Sequence, residues 1–196
     1  MKSFAIIMTV VAAIALIVNF VVKYKKVPES DRLANRGNNA VSKKDVNKAL
    51  GYYKKAYEVN KFKNTTKGLM AINIALCYMD LKDIDQALEW GLKATELREE
   101  DPNSWAVLGR AYFDKGDIAN ATECFEKKAI MVPNDTNVYS MLAVCYAKVG
   151  DTKSANIAVG KAEANKYPEM QILKKAVKDE ISKFNNENKH RVKEVK

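Results

Sequence analysis

Apolar positions recur at three- and four-residue spacing along most of this chain, and one early stretch is apolar throughout. The clearest periodic stretch lies between Pro102 and Pro133. Trp105, Leu108, Gly109 and Tyr112 share one helical face there, since side chains three and four apart stack on the same side. Lys115-Gly116-Asp117 reads as a turn, and Ala121 and Phe125, four apart, mark the inner face of a second helix. Gly109 and Ala121 are small where two antiparallel helices must cross closely; Trp105 and Tyr112 are large where the gap widens. Asp117 is placed to cap the second helix by accepting from first-turn N–H groups. Gly116 is free to adopt a left-handed conformation and close the first.

The same pattern returns at a fixed interval. Tyr78, Tyr112 and Tyr146 are 34 residues apart, as are Asp83, Asp117 and Asp151, and Ala87, Ala121 and Ala155. Trp105 maps to Tyr139, Leu108 to Leu142 and Gly116 to Gly150. An earlier unit, carried by Asp45, Ala49, Tyr53 and Ala56, precedes the next by 38 residues, which places four inserted residues near Phe62–Thr66. The pattern resembles the tetratricopeptide repeat, whose Trp, Leu-Gly, Tyr, Ala, Phe, Ala, Pro signature spans 34 residues. One departure is Lys128, where that family expects a small residue; Ala129 follows one place later. The resemblance implies an all-α solenoid of four helix-turn-helix units, at about 30–63, 68–101, 102–135 and 136–169. The first leading helix, Asp31–Ser42, is rich in Asn and poor in apolar residues. Ile172, Leu173, Ala176, Val177, Ile181 and Phe184 predict a final helix over Met170–Phe184 that covers the open end of the stack. Residues Asn185–Lys196 lack periodicity and read as a disordered basic tail.

The apolar stretch, Phe4–Val22, is 19 residues long with only Thr9 and Asn19 polar. At 1.5 Å per residue that matches a hydrocarbon core of about 30 Å. Ala13-Ile14-Ala15 resembles a signal cleavage motif, but the apolar run continues to Val22 with no polar region before the cut, which favours an uncleaved transmembrane anchor. No cysteine follows the run as a lipoprotein signal would need. Residues 1–3 form a short N-terminal tail. Lys23, Lys25, Lys26, Arg32 and Arg36 follow the run, against Lys2 and the terminal amine before it. The positive-inside rule therefore predicts a cytoplasmic repeat domain. The alternative is an extracytoplasmic domain acting in envelope assembly or chaperoning. Residues 23–29 form a short linker, which would hold the first repeat and its Lys43, Lys44, Lys48, Lys54 and Lys55 close to anionic lipid.

Charge is divided along the 196 residues, which carry a net +9. Residues 1–63 hold 13 basic and 4 acidic side chains, 64–169 hold 12 and 16, and 170–196 hold 8 and 4. Positive charge thus flanks the apolar run and fills the tail, while the repeats are mildly acidic. That layout suits a membrane surface better than nucleic acid, although the basic tail and linker keep nucleic-acid binding as a further alternative. Cys77, Cys124 and Cys145 fit neither metal-ligand spacing nor a disulfide framework and read as small buried hydrophobes. His190 is the only histidine. No phosphate loop, zinc motif or nucleophile elbow occurs, so the sequence points to a non-enzyme with no cofactor and no metal.

The resemblance places a binding site on the concave wall, where first helices of successive units line a groove for an extended peptide or a partner helix. The lining it implies is Asn38 and Ala34 from the first unit and Leu69, Ile72, Asn73, Leu76 and Met79 from the second. The third supplies Asn103, Ala106, Arg110 and Phe113, and the fourth Asn137, Ser140, Val144 and Ala147. Leu69, Ile72 and Leu76 serve equally well as contacts between neighbouring repeats. Family members that clamp acidic chaperone tails use a lysine, asparagines and a basic pair. Asn38 and Asn73 match, but Ala34, Asn103 and Val107 stand where the cations belong, so tail binding of that type is not expected. The predicted function is that of a membrane-anchored adaptor that binds a partner protein segment.

Overall fold

The computed structural model describes residues 13–17, 28–59 and 64–194. Among them nine helices stack in sequence order: α1 (Glu29–Ser42), α2 (Val46–Val59), α3 (Asn64–Asp80), α4 (Ile84–Leu97), α5 (Pro102–Lys115), α6 (Ile118–Met131), α7 (Thr136–Lys148), α8 (Thr152–Ala164) and α9 (Met170–Glu194). The first eight form four hairpins, each packed on the next, which makes an all-α solenoid.

The turns explain the period. Asp45, Asp83, Asp117 and Asp151 each accept from the N–H three residues on, at 3.0–3.2 Å, and so start the second helix of every hairpin. The residue just before each of these is left-handed: Lys44 (φ 60°), Lys82 (φ 63°), Gly116 (φ 87°) and Gly150 (φ 78°). Two lysines therefore do what glycine does later in the chain, at roughly 1–2 kcal/mol of backbone strain each. Between hairpins, Asp101 and Asp135 cap α5 and α7. Lys128, the departure from the repeat signature, is mostly buried and reaches Asp135 at 2.8 Å, so its charge is met at the start of the next hairpin.

Buried apolar residues form two clusters. One runs from α1 to α5 and takes in Cys124. The other runs from Ala121 and Phe125 of α6 to Leu173 and Val177 of α9. Tyr112 packs against both. Ser104 lies inside α5 at 0% exposure, and its hydroxyl has no hydrogen-bond partner among the described residues. An unmatched buried hydroxyl costs about 1–3 kcal/mol. Ser104→Ala is therefore expected to stabilise the fold by roughly 1 kcal/mol, read as a rise in thermal midpoint of a few degrees.

Helix α9 corrects one expectation. It runs on to Glu194, so 185–194 is helical where a disordered tail was expected; 195–196 lie outside the described residues. Leu173 and Val177, buried against the last hairpin, nucleate the helix. Each further residue then adds one backbone hydrogen bond at little cost, and no Pro or Gly follows Pro168 to stop it. The anchor expected over 4–22 falls mostly outside the described residues. Residues 13–17 are helical, with Ile14, Leu16 and Ile17 54–70% exposed. Among the described residues no helix is long and apolar enough to cross a membrane.

Candidate functional site

The first helices of the hairpins, α1, α3, α5 and α7, carry the residues expected to line a groove. Helices α3 and α5 touch directly, and α9 packs chiefly on α7. Two registers stay open. Leu69, Asn103 and Asn137, at 34-residue intervals, are all exposed. Seven residues on, two helical turns along the same face, Leu76 and Arg110 are exposed, Val144 is half-buried, and Asn38 stands in the equivalent place on α1. Leu69 and Leu76 are 42% and 46% exposed, large for leucines flanked by core. Asn73, Ala106 and Ala34 are half-buried.

Two other registers close at most of their positions. Ile72 is 7% exposed and belongs to the core, and Ser140 is 8% exposed with its hydroxyl donating to the Asn137 carbonyl at 2.8 Å. Met79 (9%) and Ala147 (0%) are buried as well. These four were expected in the groove, and the correction has one cause. On α3 the approach of α5 takes the flank of the expected stripe out of solvent, and on α7 the packing of α6, α8 and α9 does the same.

The polar points are partly committed. The Asn38 carboxamide oxygen accepts from the Tyr53 hydroxyl at 2.7 Å. Arg110 is paired one turn on with Asp114 at 3.1 Å, yet its side chain stays 58% exposed. An exposed pair of this kind contributes about 0.3–0.5 kcal/mol, so a ligand carboxylate can displace Asp114 at little cost. Phe113 is half-buried, with the Lys148 ammonium 5.7 Å from its ring centre. Lys148 also pairs with Glu180 of α9 at 3.2 Å, so α9 holds the Lys148 side chain beside Phe113. The Arg110–Asp114 pairing was readable as opposite charges four apart; the reach of Glu180 to Lys148, 32 residues away, was not.

Nucleophilic chemistry finds no support in the thiols. Burial pushes Cys77, Cys124 and Cys145 each up to about 11, so they stay protonated and inert at neutral pH. Burial, together with a hydrogen bond to Glu126, also raises the Tyr146 phenol. No group of three or more His, Cys, Asp or Glu side chains converges among the described residues to hold a metal.

Residues 35–148 match the family described as a domain of unknown function, DUF6340. The chain belongs to that family. Solved structures share the architecture of this DUF6340 chain. One is YrrB, a TPR protein with an unusual peptide-binding site, with 21% identity, 68% of this chain and 67% of that one covered, and a TM-score of 0.60. A second is the first TPR of Spaghetti (RPAP3) bound to the HSP90 peptide SRMEEVD: 18% identity, 62% and 93% coverage, TM-score 0.58. A third is the Sgt2 TPR domain from Aspergillus fumigatus: 26% identity, 65% and 83% coverage, TM-score 0.59. The DUF6340 chain therefore has a TPR-like fold.

Proposed function

We propose that this chain is a membrane-tethered adaptor whose solenoid binds an extended segment of a partner protein. The observation that carries it is the pair of open rows crossing the first helices: Leu69, Asn103 and Asn137, and Asn38, Leu76, Arg110 and Val144. An extended peptide running across these helices meets apolar contacts at α3, amide donors and acceptors along the way, and a cation at α5. YrrB has an unusual peptide-binding site and the Spaghetti TPR is bound to an HSP90 peptide, which supports such a use of the fold. The tether is residues 4–22, and the exposed apolar side chains of 13–17 agree with a segment that does not pack on the solenoid.

Selection from a displayed peptide library against the full chain in neutral detergent tests the groove. Binders are expected to be extended segments with apolar side chains, and Leu69→Asp combined with Leu76→Asp is expected to weaken them at least tenfold, about 1.4 kcal/mol or more. Both leucines are exposed, so helicity should be unchanged. Binders indifferent to this change and to Arg110→Glu would overturn the site. Residue-by-residue cysteine accessibility in intact membranes decides between a cytoplasmic and an extracytoplasmic solenoid.

A further inference from the structure

The end of the solenoid formed by α1 and α2 differs from every internal junction. In the later first helices the corresponding positions hold Ile74 and Cys77, Leu108 and Ala111, and Leu142 and Cys145, all buried within the stack. On α1 the same two places hold Arg36 and Asn39, both exposed. With Lys43, Lys48, Tyr52 and Asp45 they line a pocket of about 170 Å³. A single water needs only about 10–15 Å³ of such space, so the pocket has room for a tetrahedral oxyanion.

A polar end face stops further stacking, and for that alone glutamate, glutamine or serine would serve as well as arginine and lysine. What marks this face is that three cations are gathered in one pocket. Three cations meet one carboxylate, and that carboxylate already accepts from the Lys48 backbone N–H at 3.1 Å. Among the described residues no carboxylate pairs with Arg36, Lys43 or Lys48. Guanidinium, ammonium, phenol and carboxamide together offer the donors that a phosphate group needs, with Arg36 able to engage two oxygens at once.

We propose that this end-face pocket binds a phosphate group through Arg36, Lys43 and Lys48, with Asn39 and Tyr52 completing the donor set. The phosphate is that of an anionic lipid headgroup or a free phosphate anion. The site is independent of the peptide groove, which lies on the first-helix wall rather than on the end of the stack.

The test uses the full chain in neutral detergent at constant ionic strength, titrated in separate arms with inorganic phosphate and with micelle-incorporated phosphatidylglycerol. The thermal midpoint by circular dichroism is followed. A rise of several degrees is expected in one arm. A response to inorganic phosphate assigns a free anion, and a response to phosphatidylglycerol alone assigns the headgroup. The rise should vanish in Arg36→Ser with Lys48→Ser and persist in Lys153→Ser with Lys175→Ser, exposed lysines far along the solenoid. No rise in either arm, or a rise that survives Arg36→Ser with Lys48→Ser, overturns the proposal. Peptide binding should be unaffected by these changes, so failure here leaves the groove reading standing.

Discussion

Replacing Phe125 by alanine is expected to cost about 3–5 kcal/mol and to split the unfolding of the solenoid into two steps. Phe125 is 3% exposed and sits where the two apolar clusters meet. Its ring and the Cys124 Cβ both face Gly109 of α5, where an added Cβ would stand 3.0 Å from each, so Phe125 is the large side chain at the closest approach of α5 and α6. In a stack where each hairpin touches only its neighbours, stability is a sum of unit and junction terms. Weakening the third hairpin from within, where one apolar cluster gives way to the other, lets the two sides open separately. Both tryptophans, Trp90 and Trp105, lie on the α1–α5 side of the junction. In denaturant, fluorescence and circular dichroism at 222 nm should coincide for the native chain. For Phe125→Ala, circular dichroism should begin to fall first, as the α6–α9 side melts ahead of the tryptophans. A single coincident transition, displaced by less than the equivalent of 1 kcal/mol, would show that Phe125 does not join the two clusters.

How far the sequence could be read depends on what each feature requires. The capping aspartates and helix phases are local, set by residues within one turn, and so the 34-residue period exposes them directly. The TPR-like architecture follows, because hairpins with one apolar face must stack. The groove was only half readable. Leu69 and Leu76 against Ile72 is a distinction of less than one helical turn, and it depends on how closely α3 and α5 approach, which spacing along one helix does not state. Lys44 and Lys82 in left-handed turns were hidden because residue type there points away from the conformation. The helical run from Asn185 was missed because its polarity says nothing about a helix already nucleated upstream.

The last expectation concerns a size exchange written into the chain itself. Gly37 faces Tyr53 in the first hairpin and Gly109 faces Phe125 in the third. At the equivalent places the second hairpin has Ala75 with Gly91, and the fourth has Ala143 with Val159. Where the second helix brings an aromatic ring, the first helix gives up its Cβ; where it brings less, alanine returns. A Cβ on Gly37 would enter the Tyr53 ring, which is 3% exposed and held by its hydroxyl to Asn38. The ring has nowhere to turn, so Gly37→Leu is expected to cost about 3 kcal/mol through overpacking, despite the better helix propensity of leucine. Gly37→Ala should cost less, roughly 1–2 kcal/mol, because the propensity gain offsets part of the clash. The decisive variant copies the second hairpin: Gly37→Ala with Tyr53→Gly. Tyr53→Gly alone opens a cavity, and Gly37→Ala alone overfills, so together they should fall short of additivity by about 1–3 kcal/mol in the stabilising direction. Chemical denaturation of the four-member cycle measures that coupling. Strict additivity would mean that the two helices do not meet through these positions, and the size exchange would then be coincidence.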